Sequence, residues 1–327
     1  MSKRKNKNNV AFIGIILILV LVILYSGLRI LEPTVFSQPQ ELENAVPSKT
    51  ISRDGVDYFP RQDITVLMVV GIDEFGPVED SGSYNNSGAA DMVTLLIFDE
   101  KNLECRALCL NRDTMLEMPV LGIGGKKAGT RVAQLALAHT YGSGLEDSSE
   151  NTREAVSNLL YGITIDHYVT VNMDAISIMN DIIGGVKVTV KDDFSTIDPT
   201  IEMGEIVLKG DQAIHFVRTR KGLGDQLNIS RMERQKEYMD GFLEALQKKN
   251  NQDPGFVLKA YEAISPYLVT DCSANALSGM MQRYSDYPLV ELVTPQGENR
   301  MGEEYYEFYL DEESLDSLIL RLFYAPK

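Results

Sequence analysis

The feature that most constrains this chain is an uncharged stretch at residues 10–28, VAFIGIILILVLVILYSGL. As a helix it spans about 28 Å, enough to cross a hydrocarbon core with little tilt. Lys3, Arg4, Lys5 and Lys7 precede it and Arg29 follows it. The basic side stays in the cytoplasm, and Tyr25 suits the far interface. A cleaved signal peptide is the rival reading. The run exceeds the usual apolar region of such peptides, however, and no A-x-A-like site follows. We therefore expect residues 1–9 as a cytoplasmic tail and 10–28 as an uncleaved single-pass membrane anchor, with everything beyond outside the cell. The net charge of −16 then divides unevenly: residues 1–29 hold five basic groups and no acid, leaving −21 on the rest. An exterior part that acidic argues against a general nucleic-acid binder, which needs basic surface to displace counterions, without excluding one local basic pocket.

Residues 29–62 are polar and carry Pro33, Pro39, Pro47 and Pro60, which reads as a stalk. From Asp63 onward the patterning is that of one large domain, 63–327. Residues 64–72 (ITVLMVVGI) and 92–98 (MVTLLIF) read as strands buried on both faces. Residues 103–110 read as a third, paired to the second through a turn at 100–102. Helices are expected at 131–141, 150–161 and 174–183, with Ser148 or Ser149 capping the second, and strands at 167–173 and 186–190. The tail offers helices at 254–264 and 314–323 and strands at 289–293 and 305–310, all edge elements of the same domain. Helices interleaved with buried strands predict an α/β fold, an α/β/α sandwich on a mixed central sheet. Ligands in such sheets gather beyond the carboxyl ends of strands, where Asp73 falls.

Candidate chemistry concentrates between residues 210 and 246. Ser230 followed by Glu233 is a capping-box signature, so a helix begins there. Met239, Phe242 and Leu246 form its apolar stripe, and stepping back by fours reaches Gln235 and Arg231 on the same face. Upstream lie Arg218 and Arg220. If that segment is extended, both point one way and converge with Arg231 on a phosphate or pyrophosphate, which guanidinium forks fit well. Arg112 is a fourth candidate. The plainer alternative is a solvated arginine face paired with Asp225 and Glu233. Asp73 and Asp91 flank a loop rich in Gly, Ser and Asn. Paired aspartates with phosphate oxygens are the usual cage for Mg²⁺, though loop capping is the alternative for Asp91. Other signals fail. In GIGGKKAGT (122–130), Lys127 stands where a phosphate loop needs Ser or Thr. No G-x-S-x-G is present. His139, His167 and His215 lack metal-ligand spacing. Cys105 and Cys109 in one strand lie about 13 Å apart, too far to bridge each other, and either is free to pair with Cys272 or remain a buried thiol.

These residues resemble the LytR–CpsA–Psr family of cell-envelope proteins. The segments that carry the resemblance are VLMVVGID (66–73), AADMVTLLIFD (89–99), LNRDTM (110–115), AQLALAHTYG (133–142), DHYVTVNMDAISIMNDIIGGVKVTV (166–190) and LKGDQAIHFVRTRKGLGDQLNISRMERQ (208–235), a motif core of 63–246. The last is the most specific. The resemblance implies an enzyme that transfers a glycopolymer (teichoic acid, capsule or related polysaccharide) from an undecaprenyl-pyrophosphate carrier to a peptidoglycan acceptor, with Mg²⁺. It implies Asp91, Arg112, Arg218 and Arg220 as the catalytic set. Arg112, Arg218, Arg220, Arg231 and Gln235 would hold the pyrophosphate, and Asp73 and Asp91 the metal. The chain departs from the family pattern at Ala89 and at Glu74–Phe75, where arginines are frequent, and at Asn111, where proline is. Two rival functions share the pocket: a lipid-pyrophosphate pyrophosphatase and a catalytically silent carrier-binding protein. The expected groove for a prenyl chain runs along the 231–246 stripe and residues 133–141.

Overall fold

The structure, a computed structural model, describes residues 50–53, 55–219 and, with breaks, 234–326. The expected membrane anchor (10–28), the cytoplasmic tail (1–9), Arg220, Ser230, Arg231, Glu233, Gln235 and Met239 lie outside the described residues. Among the described residues, no helix is long and apolar enough to cross a membrane.

Strands β1 (Ile51–Arg53) and β2 (Val56–Pro60) form an antiparallel hairpin. Two long apolar strands follow, β3 (Ile64–Ile72) and β4 (Ala90–Asp99), then β5 (Glu104–Leu110). A second hairpin, β6 (Met115–Leu121) with β7 (Lys127–Gln134), leads through two short 3₁₀ turns to α1 (Glu146–Leu159). After β8 (His167–Val171) come α2 (Asp174–Ile182), the β9 (Val186–Val190) and β10 (Gly204–Leu208) pair, and α3 (Gln212–Arg218). Further on lie α4 (Phe256–Ile264), β11 (Leu268–Thr270), α5 (Ala274–Tyr284) and β12 (Leu289–Val293). The chain then forms the β13 (Gly297–Met301) and β14 (Tyr306–Leu310) hairpin, α6 (Glu312–Phe323) and β15 (Tyr324–Pro326).

The central sheet runs β11-β8-β3-β4-β5-β12. Two of its pairings are parallel (β3 with β8, β5 with β12) and three antiparallel (β3 with β4, β4 with β5, β8 with β11), so it is mixed, as expected. The period-two alternation of a strand divides the core. Leu67, Val69 and Val171 face one cluster with α2, α3, Tyr238, Phe242 and Leu246. Val66, Met68 and Val70 face the other with Val156 of α1 and Ile319 of α6. Helices therefore cover both faces, which is why these strands read as continuous apolar runs rather than alternating ones.

Several expectations are corrected. Residues 51–60, assigned to the stalk, belong to the folded domain, because β2 pairs with β15 at the chain's other end. Residues 131–134, expected as helix, are the end of β7, an exposed hairpin strand with no buried stripe to mark its period. Helix α1 starts at Glu146, and Ser148 and Ser149 are buried inside its first turn rather than capping it. Phe242 and Leu246 are packed into the sheet core, so the stripe they belong to lines no groove there. All three cysteines are buried free thiols. Cys105 and Cys109 are pushed up to about 12 by burial.

Candidate active site

Strands β3, β5 and β8 run one way and β4 the other. Asp73, Arg112 and Asp91 therefore meet along one edge of the sheet, Asp73 and Arg112 just past carboxyl ends and Asp91 near an amino end. The register fixes how Asp91 is aimed. Gly71 pairs with Met92 but Ile72 with Ala90, so Asp91 is the extra residue of a β-bulge. Such bulges re-aim side chains next to functional sites. Asp73 is anchored by its N–H donating to the Ala89 carbonyl at 3.1 Å.

Two guanidiniums face these carboxylates. Arg112 donates to Asp91 Oδ1 and lies 3.6 Å from Asp113 Oδ1. Arg218 Nη2 donates to Asp73 Oδ1 at 2.7 Å, and its guanidinium sits 5.8 Å from the centre of the Phe75 ring. Arg218 is the last residue of α3, so the condition of an extended segment is not met at Arg218; Thr219 turns extended only after it. Helix α3 buries Ala213, Ile214, Phe216 and Val217 and delivers Arg218 from its C-terminal turn, where the dipole favours a cation.

Burial raises the Asp91 carboxyl above its ordinary value. Arg112 opposes the rise, the nearby Asp73 adds to it, and Arg218 again opposes it. Four charged groups thus sit within electrostatic reach of one another. The Asp73 carboxylate disfavours the charge on Asp91, and the two form a hard-oxygen donor set whose crowding a divalent cation would relieve. The residues present therefore fit Mg²⁺.

Three supports are not apparent from the sequence pattern. Arg234, 5% exposed, donates through Nε to Phe216 O at 3.0 Å and through Nη2 to Thr219 O at 2.5 Å, and pairs with Asp192. It ties down the chain on either side of Arg218. Only the spacing Arg231-x-x-Arg234 hinted at it. Asn86 staples the glycine-rich loop by donating to the carbonyls of His139 and Gly142, both at 2.8 Å. His139, a core histidine kept neutral by burial, donates from Nδ1 to Gly88 O at 2.8 Å. A cleft of about 730 Å³ lies between the β6–β7 hairpin and α1, lined by Met115, Met118, Lys127, Glu154 and Leu159 among others. None of the four charged residues lines it.

The domain is thus a mixed α/β sandwich that presents two aspartates and two arginines at one sheet edge. The chain belongs to the LytR_cpsA_psr family, whose model matches residues 31–322. It is 28% identical over 274 residues to the polyisoprenyl-teichoic acid–peptidoglycan teichoic acid transferase TagU of Halalkalibacterium halodurans, covering 81% of this chain and 80% of that one. It is 26% identical over 318 residues to the TagU of Enterococcus faecalis, covering 96% and 95%. Among solved structures, B. subtilis TagV superposes with a TM-score of 0.55 at 23% identity over 80% of this chain and 96% of that one. TagT bound to LI-WTA superposes with a TM-score of 0.55 at 21% identity, over 80% and 90%. These superpositions establish the fold.

Proposed function

We propose that this protein is a phosphotransferase that moves a glycopolymer from a polyprenyl-pyrophosphate carrier to a peptidoglycan acceptor. The observation that carries this reading is the meeting of Asp73, Asp91, Arg112 and Arg218 at one sheet edge. The relatives named as teichoic acid transferases support the same class of donor and acceptor.

In this reading the acceptor hydroxyl attacks the sugar-linked phosphorus. The bridging P–O bond breaks and lipid monophosphate leaves with its electron pair, while the hydroxyl proton is lost to solvent. Such transition states are stabilised by positioning and by cations around the phosphoryl oxygens. Arg112 and Arg218 supply guanidinium forks, each prepositioned by a carboxylate that the phosphate would displace. Asp73 and Asp91 are the residues that would hold Mg²⁺, whose chemistry is charge neutralisation on the pyrophosphate. Arg220, Arg231 and Gln235 complete the proposed pyrophosphate set from the family motif. A membrane anchor at residues 10–28, with the domain outside the cell, would keep the site beside a lipid-linked donor.

The test is turnover of polyprenyl-pyrophosphate-linked glycan by the full chain in detergent, with Mg²⁺ or EDTA. We expect Mg²⁺-dependent release of lipid monophosphate and attachment of the glycan to added peptidoglycan. Arg218→Ala and Asp91→Ala should each reduce it about 10²–10³-fold, the usual cost of removing one preorganised transition-state contact. Turnover without glycan attachment would overturn transfer in favour of hydrolysis. Binding without turnover would leave only a carrier-binding role.

A further inference from the structure

A second cluster of ligating side chains lies at the opposite end of the sheet. His167 opens β8, at the end away from Asp73, because Leu67 rather than Gly71 is its partner on β3. Strand β11 pairs antiparallel with β8, and Asp271 and Cys272 follow it directly. The pairing thus brings residues about a hundred positions apart in sequence onto one corner. His167 Nδ1, Cys272 Sγ and an Asp271 carboxylate oxygen all lie within 4.8 Å of one another.

The distances within this group have a particular character. His167 Nδ1 stands 3.6 Å from Asp271 Oδ1, too far for a hydrogen bond, and it is a buried nitrogen with no hydrogen-bond partner. Cys272 Sγ stands 3.6 Å from the same oxygen. Ligand atoms on a tetrahedral zinc with ordinary bond lengths are about 3.3–3.6 Å from one another. Both of these 3.6 Å separations match that edge, and a small turn of the partly exposed His167 ring closes the third. Asp271 Oδ1 is steadied by the Tyr168 N–H, which donates to it at 3.0 Å. Asp271 Oδ2 faces away, toward Arg153 Nη1 at 3.5 Å. That guanidinium is itself held by Glu150 and lies over the Tyr168 ring. Arg153 and Glu150 offset each other, leaving the two negative charges of a thiolate and a carboxylate for a dication. Cys272 is buried, while His167 is partly exposed and Asp271 is exposed, which gives a path in.

We propose that His167, Asp271 and Cys272 form a three-ligand site for a zinc-type divalent cation, with the fourth position open. The thiolate makes it soft and sets it apart from Mg²⁺, which takes oxygen ligands. The site is independent of Asp73 and Asp91 and does not rest on the transferase reading. Bound metal would clasp β8 to the segment after β11, at the sheet's edge strand.

The test uses the full chain in detergent, stripped of metal and titrated with Co²⁺. We expect one equivalent to bind, with a thiolate-to-cobalt charge-transfer band in the near ultraviolet and the strong visible bands of four-coordinate Co²⁺. Zn²⁺ should displace it. Cys272→Ser should abolish the charge-transfer band and weaken Zn²⁺ binding by two orders of magnitude or more, since loss of even an outer-shell partner costs about 10–100-fold. His167→Gln should weaken it similarly, and Asp91→Asn should leave the spectrum unchanged. A circular dichroism melt of each variant without metal confirms that it is folded. Absence of saturable Co²⁺ binding by the folded wild type would overturn the proposal, as would an unchanged spectrum in folded Cys272→Ser.

Discussion

Replacing Arg234 by methionine keeps most of the side chain's length but removes two hydrogen bonds, an ion pair and the guanidinium's place over the Phe194 ring. The Phe216 and Thr219 carbonyls lose their donor, and Asp192 loses its partner in a site where its side chain is 17% exposed. A hydrogen bond from a charged donor is worth about 1.5–3 kcal/mol. Breaking a buried ion pair by removing one partner costs about 3–5 kcal/mol, because a charge is left behind. These terms overlap, so we expect a loss of about 4 kcal/mol. For a domain of this size that lowers Tm by about 8–16 °C. The chain has no tryptophan, so urea unfolding is followed by tyrosine fluorescence and circular dichroism. The double variant Asp192→Asn/Arg234→Met supplies the control. With the orphaned charge removed it should be more stable than Arg234→Met alone, giving a coupling of about 1–3 kcal/mol. A single-variant cost below about 1 kcal/mol, or strict additivity in the cycle, would refute the claim that Arg234 braces the end of α3.

Two further perturbations probe the scaffold. Burial by itself would raise the Asp99 carboxyl, but the backbone N–H of Asn102, the Arg61 guanidinium and the Asn102 side chain outweigh it and hold the group down at about 2. Its stabilisation is therefore complete above its ordinary carboxylate value and is lost as pH falls from about 4 toward 2. At 1.36 kcal/mol per unit it amounts to about 2 kcal/mol. Urea unfolding across that range should show the decline in wild type and a shallower one in Asp99→Asn; parallel slopes would contradict it. A Cβ on Gly241 would meet the Lys187 carbonyl oxygen at 2.4 Å and Val186 Cγ1 at 2.9 Å, both on β9. Gly241→Ala should cost about 1–3 kcal/mol by forcing the backbone around residue 241 off that strand, read as a lowered urea midpoint with unchanged slope.

The parts legible in the sequence were those with strong local signals. The apolar runs of β3 and β4 announced a sheet covered on both faces, and Asp73 could be placed from the end of one of them. The specific motifs pointed to Arg112 and Arg218, and the structure brings both against the aspartates. Other features depended on partners distant in sequence. Strand β7 is held by pairing with β6 rather than by a buried stripe, so its period was invisible. The seven-residue helix α3 is too short to show a full amphipathic pattern, so the conformation of its His-Phe-Val-Arg run stayed open. The aim of Asp91 comes from a one-residue register shift between β3 and β4, which no single strand encodes. The grouping of His167 with Asp271 and Cys272 exists only because β8 and β11 pair. Linear spacing shows no metal motif among the histidines, and the corner formed by His167, Asp271 and Cys272 becomes visible only once β8 and β11 are paired.

The pairing of β2 with β15 carries a mechanical consequence. The chain's entry into the domain is fastened to its last described residues, with Tyr324, Ala325 and Pro326 opposite Pro60, Phe59 and Tyr58, and with Arg53 paired to Asp316 of α6. Interstrand hydrogen bonds in an antiparallel pair lie across the strands, so a pull along them strains the whole set together instead of unzipping it one bond at a time. Tension arriving through the residues before Ile51 is thus taken up by a small clamp built from both chain ends, and the sheet edge carrying Asp73 and Asp91 is shielded from it. Cutting the chain before Tyr324 would leave the edge carrying Asp73 and Asp91 intact and release that clamp.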